Sequence, residues 1–201
     1  MFTGLVQGIG TVTKLVEHES SIEVELEIGV LAKKVSVGDS ISVNGACLTA
    51  TKLDSDRVSL DVMKQSLQLT NLQDLQLEDL VNLELAVLPT QRLGGHLVQG
   101  HIDGVGTVIQ REPGDRWERF VITIPEELMK YVVAQGSITV NGVSLTVGSL
   151  DDEHSHVELW IIPETSLKTT FGKLQVGDRV NIEVDVLGKY VERLLSKGVH
   201  S

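Results

Sequence analysis

The stretch Ser40-Ile-Ser-Val-Asn-Gly-Ala-Cys-Leu-Thr-Ala50 has a second copy 97 residues later, Ser137-Ile-Thr-Val-Asn-Gly-Val-Ser-Leu-Thr-Val147. Seven of the eleven positions are identical, so the two stretches share one local structure. Each copy carries Asn-Gly between alternating apolar and polar residues. This is the strongest short signal for a β-hairpin, because both turn residues need positive φ. The sequence therefore predicts two equivalent hairpins around which the chain is organised.

Two further pairs of segments keep nearly the same spacing. Residues 4–12 resemble residues 100–108, and residues 75–84 resemble residues 174–183. Three matched blocks in one order indicate that a single domain plan is used twice. We predict one unit over residues 1–88 and a second over residues 89–186, because proline and paired glycines interrupt any strand near the join.

Short strands are expected to dominate both units, since runs of β-prone residues alternate with turn signals. Many short strands with few helices are typical of small closed or nearly closed β-barrels, so the fold class is all-β. A short helical connector is expected at residues 30–34, a helix at residues 125–136, and a strand end with its exit loop at residues 61–66. The predicted strands include Ile22–Ile28, Val58–Met63, Phe120–Ile124 and Val157–Ile162.

Composition narrows the function classes. The net charge is −11 and 3% of residues are aromatic, which argues against binding of nucleic acid, because that needs basic faces or stacking platforms. No apolar run approaches the roughly 20 residues of a membrane helix, and the first residues lack the pattern of a secretory signal. A single cysteine cannot form an internal disulfide, which fits a cytoplasmic location.

The last segment has no counterpart in the first unit. Its apolar residues fall on one face of a helix, and such a short helix is marginal alone in water. We predict a helix over residues 187–201 that serves oligomerisation, with docking on its own barrel as the alternative. The apolar face consists of Leu187, Tyr190, Val191, Leu194 and Leu195.

Candidate chemistry is sought where the two copies differ. Cys47 corresponds to Ser144, and His101 corresponds to Leu5. A lone cysteine is often a small buried hydrophobe, so structural and functional interpretations of Cys47 both stand. His101 and the nearby His96 are flanked by glycines, which leave room for a ligand. No cysteine cluster or glutamate motif accompanies these histidines, so no metal site is predicted.

Hydroxyl and amide side chains recur at equivalent places in the two copies. They serve either as caps and strand ends or as the lining of two related pockets. A pair of related pockets suits a reaction between two copies of one molecule. The pairs are Thr49 with Thr146, Ser66 with Thr165 or Ser166, and Asn71 with Thr170.

A set of short motifs spread over the whole chain resembles the riboflavin synthase family of the α-chain type. These motifs are Met1-Phe-Thr-Gly4, Val43-Asn-Gly-Ala-Cys-Leu-Thr49, Thr70-Asn-Leu72, Gly94-Gly-His-Leu97, Gly100-His-Ile102, Asn141-Gly-Val-Ser-Leu-Thr146 and Ile162-Pro-Glu-Thr165. The resemblance implies two tandem six-stranded Greek-key barrels and a C-terminal helix that assembles a homotrimer. It also implies a dismutation in which one 6,7-dimethyl-8-ribityllumazine passes four carbons to another. The implied products are riboflavin and 5-amino-6-ribitylamino-2,4(1H,3H)-pyrimidinedione, formed without a cofactor.

The resemblance also implies the site. Cys47, His101 and Ser144 would be catalytic, and the active site would form where the first barrel meets the second barrel of a neighbouring subunit. Cys47 and His101 would then come from different subunits. The first pocket would use Leu48, Thr49, Asp61, Val62, Met63, Lys64, Gln65 and Ser66, facing Gly100 and Ile102. The second would use Gln135, Leu145, Thr146, Trp160, Ile161, Ile162, Pro163, Glu164 and Thr165, facing Gly4, Leu5 and Val6.

Two departures from the family pattern change charge in the pockets. Lys64-Gln-Ser66 stands where the family more often has Glu-Thr, and Gln135 replaces a common basic residue. The resemblance further implies association with a partner enzyme, lumazine synthase. The alternative is a non-catalytic antenna protein that holds lumazine or flavin, and a β-barrel interaction module is a third interpretation. The retained Cys47, His101 and Ser144 favour the enzyme.

Overall fold

The computed structural model describes residues 1–198 and consists of two closed, six-stranded antiparallel barrels followed by a helix. The strand order β1-β2-β5-β4-β3-β6 in the first barrel is that of a Greek key, so the predicted fold is confirmed. The first barrel contains β1 Gly8–Glu17, β2 Ser21–Glu27, β3 Ser40–Val43, β4 Ala46–Asp54, β5 Arg57–Met63 and β6 Leu80–Leu85. The second contains β7 Gly104–Glu112, β8 Glu118–Thr123, β9 Ser137–Val140, β10 Val143–Asp151, β11 His156–Ile161 and β12 Arg179–Val184.

The helical elements correct two predictions. Residues 125–136 form only a 3₁₀ helix over Glu126–Tyr131, because the short connector spans the barrel end in a tighter turn. After the strand ends at Met63, the expected loop is instead the start of a one-turn helix. The α-helices are α1 Lys64–Gln68, α2 Pro163–Lys168 and α3 Val186–Gly198. The other 3₁₀ helices are Gly29–Lys34, which confirms the predicted connector, Asn71–Asp74 and Thr170–Lys173.

The two hairpin turns form as predicted and lie against each other. Asn44 and Gly45 have φ of 45° and 87°, and Asn141 and Gly142 have φ of 45° and 76°. A Cβ added to Gly45 would lie 2.8 Å from the backbone nitrogen of Gly142. Glycine is therefore needed here both for its left-handed conformation and for the close approach of the two turns.

Each barrel has its own apolar core, and matching β-bulges curve the strands around it. In the first barrel the register shifts between Val12 and Lys14 and between Ala50 and Lys52. In the second barrel it shifts in β7 and β10 at the equivalent places. Bulges increase local twist and bend a strand, which allows a short sheet to close.

Buried amides connect the barrels across an approximate twofold axis. The Asn82 side chain donates to the Asn141 carbonyl and the Asn181 side chain donates to the Asn44 carbonyl, both at 2.8 Å. The backbone N–H of Asn71 donates to Asn181 Oδ1, and that of Thr170 donates to Asn82 Oδ1. The Asn71–Thr170 pair noted in the sequence therefore contributes to the interface between the barrels.

Helix α3 rests on the second barrel through polar contacts. Lys189 Nζ lies 2.5 Å from Asp103 Oδ1, and Lys130 Nζ lies 3.3 Å from Glu192 Oε1. Residues 199–201 of the predicted helix lie outside the described residues. Within residues 1–198, no helix combines the length and apolarity needed to cross a membrane. The apolar face remains exposed at Leu187, Tyr190, Val191, Leu194 and Leu195.

Candidate active site

A gap opens between two strands of the first barrel. The β4–β5 ladder runs from the Asp54–Arg57 pair to the Ala50–Leu60 pair. Beyond that pair, β4 continues along β3 and β5 continues along β2. The segments 47–49 and 61–63 therefore face each other across an opening in the barrel wall.

The second barrel has the same opening. Its β10–β11 ladder runs from the Asp151–His156 pair to the Val147–Leu159 pair. Residues 143–146 then pair with β9, while residues 160 and 161 pair with β8. The segments 144–146 and 160–162 border this second gap, so the chain holds two related openings at the places where the sequence predicted pockets.

Two extended segments, which we call the first arm (residues 2–6) and the second arm (residues 98–102), cover these gaps. Each arm lies on the barrel that it does not directly precede in the chain. The Cys47 N–H donates to the Gly100 carbonyl at 2.9 Å, and Ile102 packs on the first core. The Ser144 N–H donates to the Gly4 carbonyl at 2.8 Å, and Val6 packs on the second core. The barrels have thus exchanged arms.

Glycine is required at the point where each arm touches its gap. Gly100 has φ of +79°, and a Cβ there would lie 2.6 Å from the Cβ of Cys47. Gly4 has φ of +76°, and a Cβ there would lie 2.6 Å from the Cβ of Ser144. Any larger residue would push the arm away from the candidate nucleophile.

The second arm corrects one expectation about subunits. Gly100 bonds to Cys47 of the same chain, and the exposed His101 follows it directly. Cys47 and the segment that bears His101 therefore meet within one chain, and the expectation that they come from different subunits is wrong. The exchange of arms is the physical reason, because it carries residues 98–102 back onto the first barrel.

Two buried carboxylates hold the arms. Glu84 accepts from the N–H groups of Thr3 at 2.7 Å and Gly4 at 2.9 Å. Glu183 accepts from the N–H groups of Gln99 at 2.7 Å and Gly100 at 2.9 Å. Burial raises the pKa of Glu84, and it raises the pKa of Glu183 to about 7, because the hydrogen bonds offset only part of the lost hydration.

A buried histidine lies beside Ser144 at the second opening. His96 Nδ1 lies 2.7 Å from Ser144 Oγ, and Nε2 lies 3.1 Å from Thr139 Oγ1. Burial lowers the pKa of His96, against an opposing effect of Asp185. A neutral imidazole between two hydroxyls can accept a proton at one nitrogen while donating at the other. Ser144 is therefore equipped for proton transfer.

The residues predicted for the pockets divide into two groups. Leu48, Val62 and Ile161 point into the barrel cores, so their side chains cannot line a pocket. Leu145 is half-buried and packs on the second core. Lys64, Gln65 and Ser66 form the start of α1, Pro163, Glu164 and Thr165 form that of α2, and Gln135 is exposed at a turn with φ of 63°. The outward-facing residues at the gaps are Cys47, Thr49, Asp61 and Met63, and Ser144, Thr146, Trp160 and Ile162.

A tryptophan pair distinguishes the second opening from the first. Trp160 packs edge-to-face against Trp117 at 6.4 Å, and its indole N–H donates to Glu158. Arg119 in turn pairs with Glu158 at 2.6 Å, so the Trp160 ring is fixed. In the first barrel Asp61 holds the place of Trp160. The second opening therefore has an aromatic edge and the first has an acidic one.

Sequence reasoning missed several residues of the site. Glu84 and Glu183 end the third repeated block, but neither was predicted as a residue of the site. Their bonds to the arms span 81 and 84 residues, which no local pattern reveals. Their equivalence across the repeat was the available signal. Trp117 was also missed, although it is one of only two tryptophans in the chain.

Comparisons with known proteins agree on the family. A model of the lumazine binding domain matches residues 3–86 and 99–185. The riboflavin synthase of Mycobacterium tuberculosis (strain H37Rv) is 43% identical over 97% of this chain and 98% of its own length. Those of Actinobacillus pleuropneumoniae and Bacillus subtilis are 39% and 36% identical, each over 98% of this chain and 91% of their own lengths.

Solved structures agree with the fold. LumP complexed with riboflavin matches with a TM-score of 0.85 at 28% identity. LumP complexed with 6,7-dimethyl-8-(1'-D-ribityl) lumazine matches with a TM-score of 0.83 at 27% identity. Each match covers 92% of this chain and 99% of the LumP chain.

Proposed function

The chain belongs to the riboflavin synthase family of lumazine-binding proteins, and we propose that it dismutates two molecules of 6,7-dimethyl-8-ribityllumazine. One lumazine gives a four-carbon unit to the other. Riboflavin and 5-amino-6-ribitylamino-2,4(1H,3H)-pyrimidinedione result, which makes the protein a transferase. The observation that carries this proposal is the pair of equivalent openings, each bordered by a candidate nucleophile and covered by an arm.

The chemistry needs two reactants held together more than it needs a strong base. The C7 methyl of lumazine is acidic, because its anion delocalises into the heterocycle. Holding two reactants in place replaces a bimolecular encounter and supplies much of the rate enhancement. Two openings on one scaffold suit a reaction in which both substrates are the same compound.

The unlike surroundings of the openings support different roles for the two lumazines. At the second opening, the Ser144 hydroxyl with neutral His96 can polarise the ring or pass a proton. At the first opening, Cys47 stands against the second arm, and exposed His101 can exchange protons with the ring or with water. Trp160 offers a flat apolar edge to a heterocycle at the second opening only.

We also propose a homotrimer, in which the first opening of one subunit faces the second opening of its neighbour. Exposed apolar residues at both openings support this arrangement, since Met63 is 64% exposed and Ile162 is 55% exposed. The exposed apolar face of α3 supplies a second contact surface. We further propose that the reaction proceeds in the cytoplasm without a metal or redox cofactor, and association with lumazine synthase remains part of this proposal.

Incubation of the purified protein with 6,7-dimethyl-8-ribityllumazine as the sole substrate tests the function. We expect riboflavin to appear as lumazine disappears, with two lumazines consumed for each riboflavin. Tight binding of lumazine without riboflavin formation would instead favour a binding-only role, which the structural likeness to LumP allows. Absence of both binding and turnover would refute the proposed function.

A further inference from the structure

Glu183 is a buried group that the proposed reaction does not use. It lies on β12 of the second barrel and is 1% exposed. Oε1 accepts the N–H of Gln99 and Oε2 accepts the N–H of Gly100. A buried carboxylate is costly unless it is hydrogen-bonded, and here both oxygens bind consecutive N–H groups of the second arm. The arm is thereby fixed in position and direction.

The bonds continue from the second arm to the first barrel. The Gly100 N–H binds Glu183 and the Gly100 carbonyl accepts the N–H of Cys47. Ile102, two residues later, packs on the first core. The backbone of His101 is therefore held between a carboxylate of one barrel and the core of the other.

The arrangement is crossed. Glu183 shares a row of paired residues with Thr139 and Ser144 on the second barrel, yet its carboxylate holds the arm that contacts Cys47. Glu84 shares the equivalent row on the first barrel and holds the arm that contacts Ser144. Each barrel thus supplies the group that completes the opening of the other barrel.

We propose that Glu183 is a positioning residue for the first opening, which it completes by holding Gly100 against Cys47, and that Glu84 does the same for the second opening. The proposal rests on the proposed function only for what the openings bind. Neither glutamate touches the reacting atoms. Each acts through the arm that it holds.

The substitution Glu183→Gln tests this assignment by a route that needs no lumazine. A glutamine keeps the volume but turns its NH₂ group toward one of the two N–H donors. Loss of one of the two hydrogen bonds to Glu183 loosens the second arm, and a change of one order of magnitude in arm opening corresponds to about 1.4 kcal/mol. Cys47 is the only cysteine, so alkylation by iodoacetamide reports its uncovering alone. We expect alkylation about 10-fold faster than in the parent.

Glu84→Gln is the matched control, because it makes the same change at the equivalent buried position of the other barrel. Cys47 should then be alkylated within about twofold of the parental rate, since Glu84 binds Thr3 and Gly4, of which Gly4 bonds to Ser144, and the bond between Gly100 and Cys47 keeps its own carboxylate. In both variants we expect kcat to fall more than KM rises, because positioning is lost while most contacts to the ligand stay. A purely structural glutamate would make both variants label alike.

The proposal is overturned if Cys47 is alkylated at the parental rate in Glu183→Gln, or if its alkylation is accelerated equally in Glu183→Gln and Glu84→Gln. If Glu183→Gln does not fold, Glu183→Asp keeps the charge and shortens the side chain by one methylene. It should label at an intermediate rate, and the parental rate in that variant also counts against positioning. If the protein makes no riboflavin but Glu183→Gln alone accelerates alkylation of Cys47, the proposed function is refuted and the positioning roles stand.

Discussion

Cys47 and Ser144 occupy equivalent places in the repeat, but their neighbours differ. Ser144 is bonded to a buried histidine, whereas Cys47 faces the arm that carries His101. The sequence alone showed that the two copies differ at this aligned position. It could not reveal the partners, since the contacts join residues that are far apart in the chain. The role of His96 became specific only with the structure.

We expect Cys47→Ser to fold normally and to bind lumazine, because only one small atom changes. It should nevertheless lose most of its turnover, because the candidate catalytic thiol is gone. His101→Leu, which copies Leu5, should also bind and should lose about 100-fold in turnover if its imidazole transfers protons. Steady-state turnover and lumazine fluorescence titration measure the two effects. If both variants bind and turn over like the parent, the catalytic assignment of Cys47 and His101 fails.

Glu183 should make stability depend on pH in a characteristic direction. Burial raises the pKa of Glu183 from 4.5 to about 7, so its contribution to stability is full below pH 4.5 and is lost as the pH rises through about 7. Glu183→Gln should lack this loss. Over that range, the difference in free energy of unfolding between parent and variant should change by roughly 3 kcal/mol.

Urea unfolding at several pH values measures this difference. Asp103 and Lys189, the charged groups that act on the Glu183 carboxyl, are unchanged in the variant, so the difference reports the titration of Glu183 in its native surroundings. Parallel stability curves for parent and variant would show that the carboxyl does not titrate in this range.

At the scale of elements, local signals were predicted and long-range ones were not. The Asn-Gly turns follow from two residues and their alternating flanks, so they appear where expected. The helix expected over residues 125–136 failed because proline, early acids and a final glycine mark a 3₁₀ turn equally well. The gaps between β4 and β5 and between β10 and β11 have no sequence signature. They depend on where a ladder stops.

The contact between hairpins predicts unequal effects of two glycine substitutions. Gly38→Ala, with φ of +95° and open space around its Cβ, should cost only the roughly 1–2 kcal/mol of a left-handed residue. Gly45→Ala adds overlap with Gly142 and should cost about 1–3 kcal/mol more. Urea midpoints at constant slope measure both changes. Equal costs would mean that the turns separate without penalty.

Helix α3 predicts how the molecule associates. Leu194→Asp places a charge on the exposed apolar face, so we expect dissociation toward monomers in sedimentation velocity and a parallel loss of turnover. Ser196→Asp, on another face of the same helix, is the control and should leave the oligomer unchanged. Removal of residues 187–201 should act like Leu194→Asp. An unchanged oligomer after truncation would assign the contact to another surface.

At the scale of the whole molecule, the two barrels and their family were evident from the repeat and its motifs. The crossed arms were not, because each block was compared with its copy and not with the barrel that it touches. Cys47 and the arm that bears His101, which were expected to come from different subunits, therefore meet within one chain. The arm that covers the opening of each barrel precedes the other barrel in the chain.

We expect the whole protein to form riboflavin at an undiminished rate after treatment with EDTA, because the proposed reaction redistributes carbon between two like molecules without net oxidation. Turnover before and after dialysis against EDTA, with and without added Mg²⁺ or Zn²⁺, measures this. Loss of activity that a metal restores would contradict a cofactor-free reaction.

The exchange of arms has a consequence for how two barrels come to be joined in one chain. The arm of a single-barrel protein could not bind to its own barrel, so two such molecules could complete their pockets only by exchanging arms in a dimer. Duplication and fusion of the gene would join the two subunits of that dimer into one polypeptide. Two products of one gene would have identical sequences, whereas the two halves of a fused chain can differ. Cysteine in one half and serine in the other are such a difference.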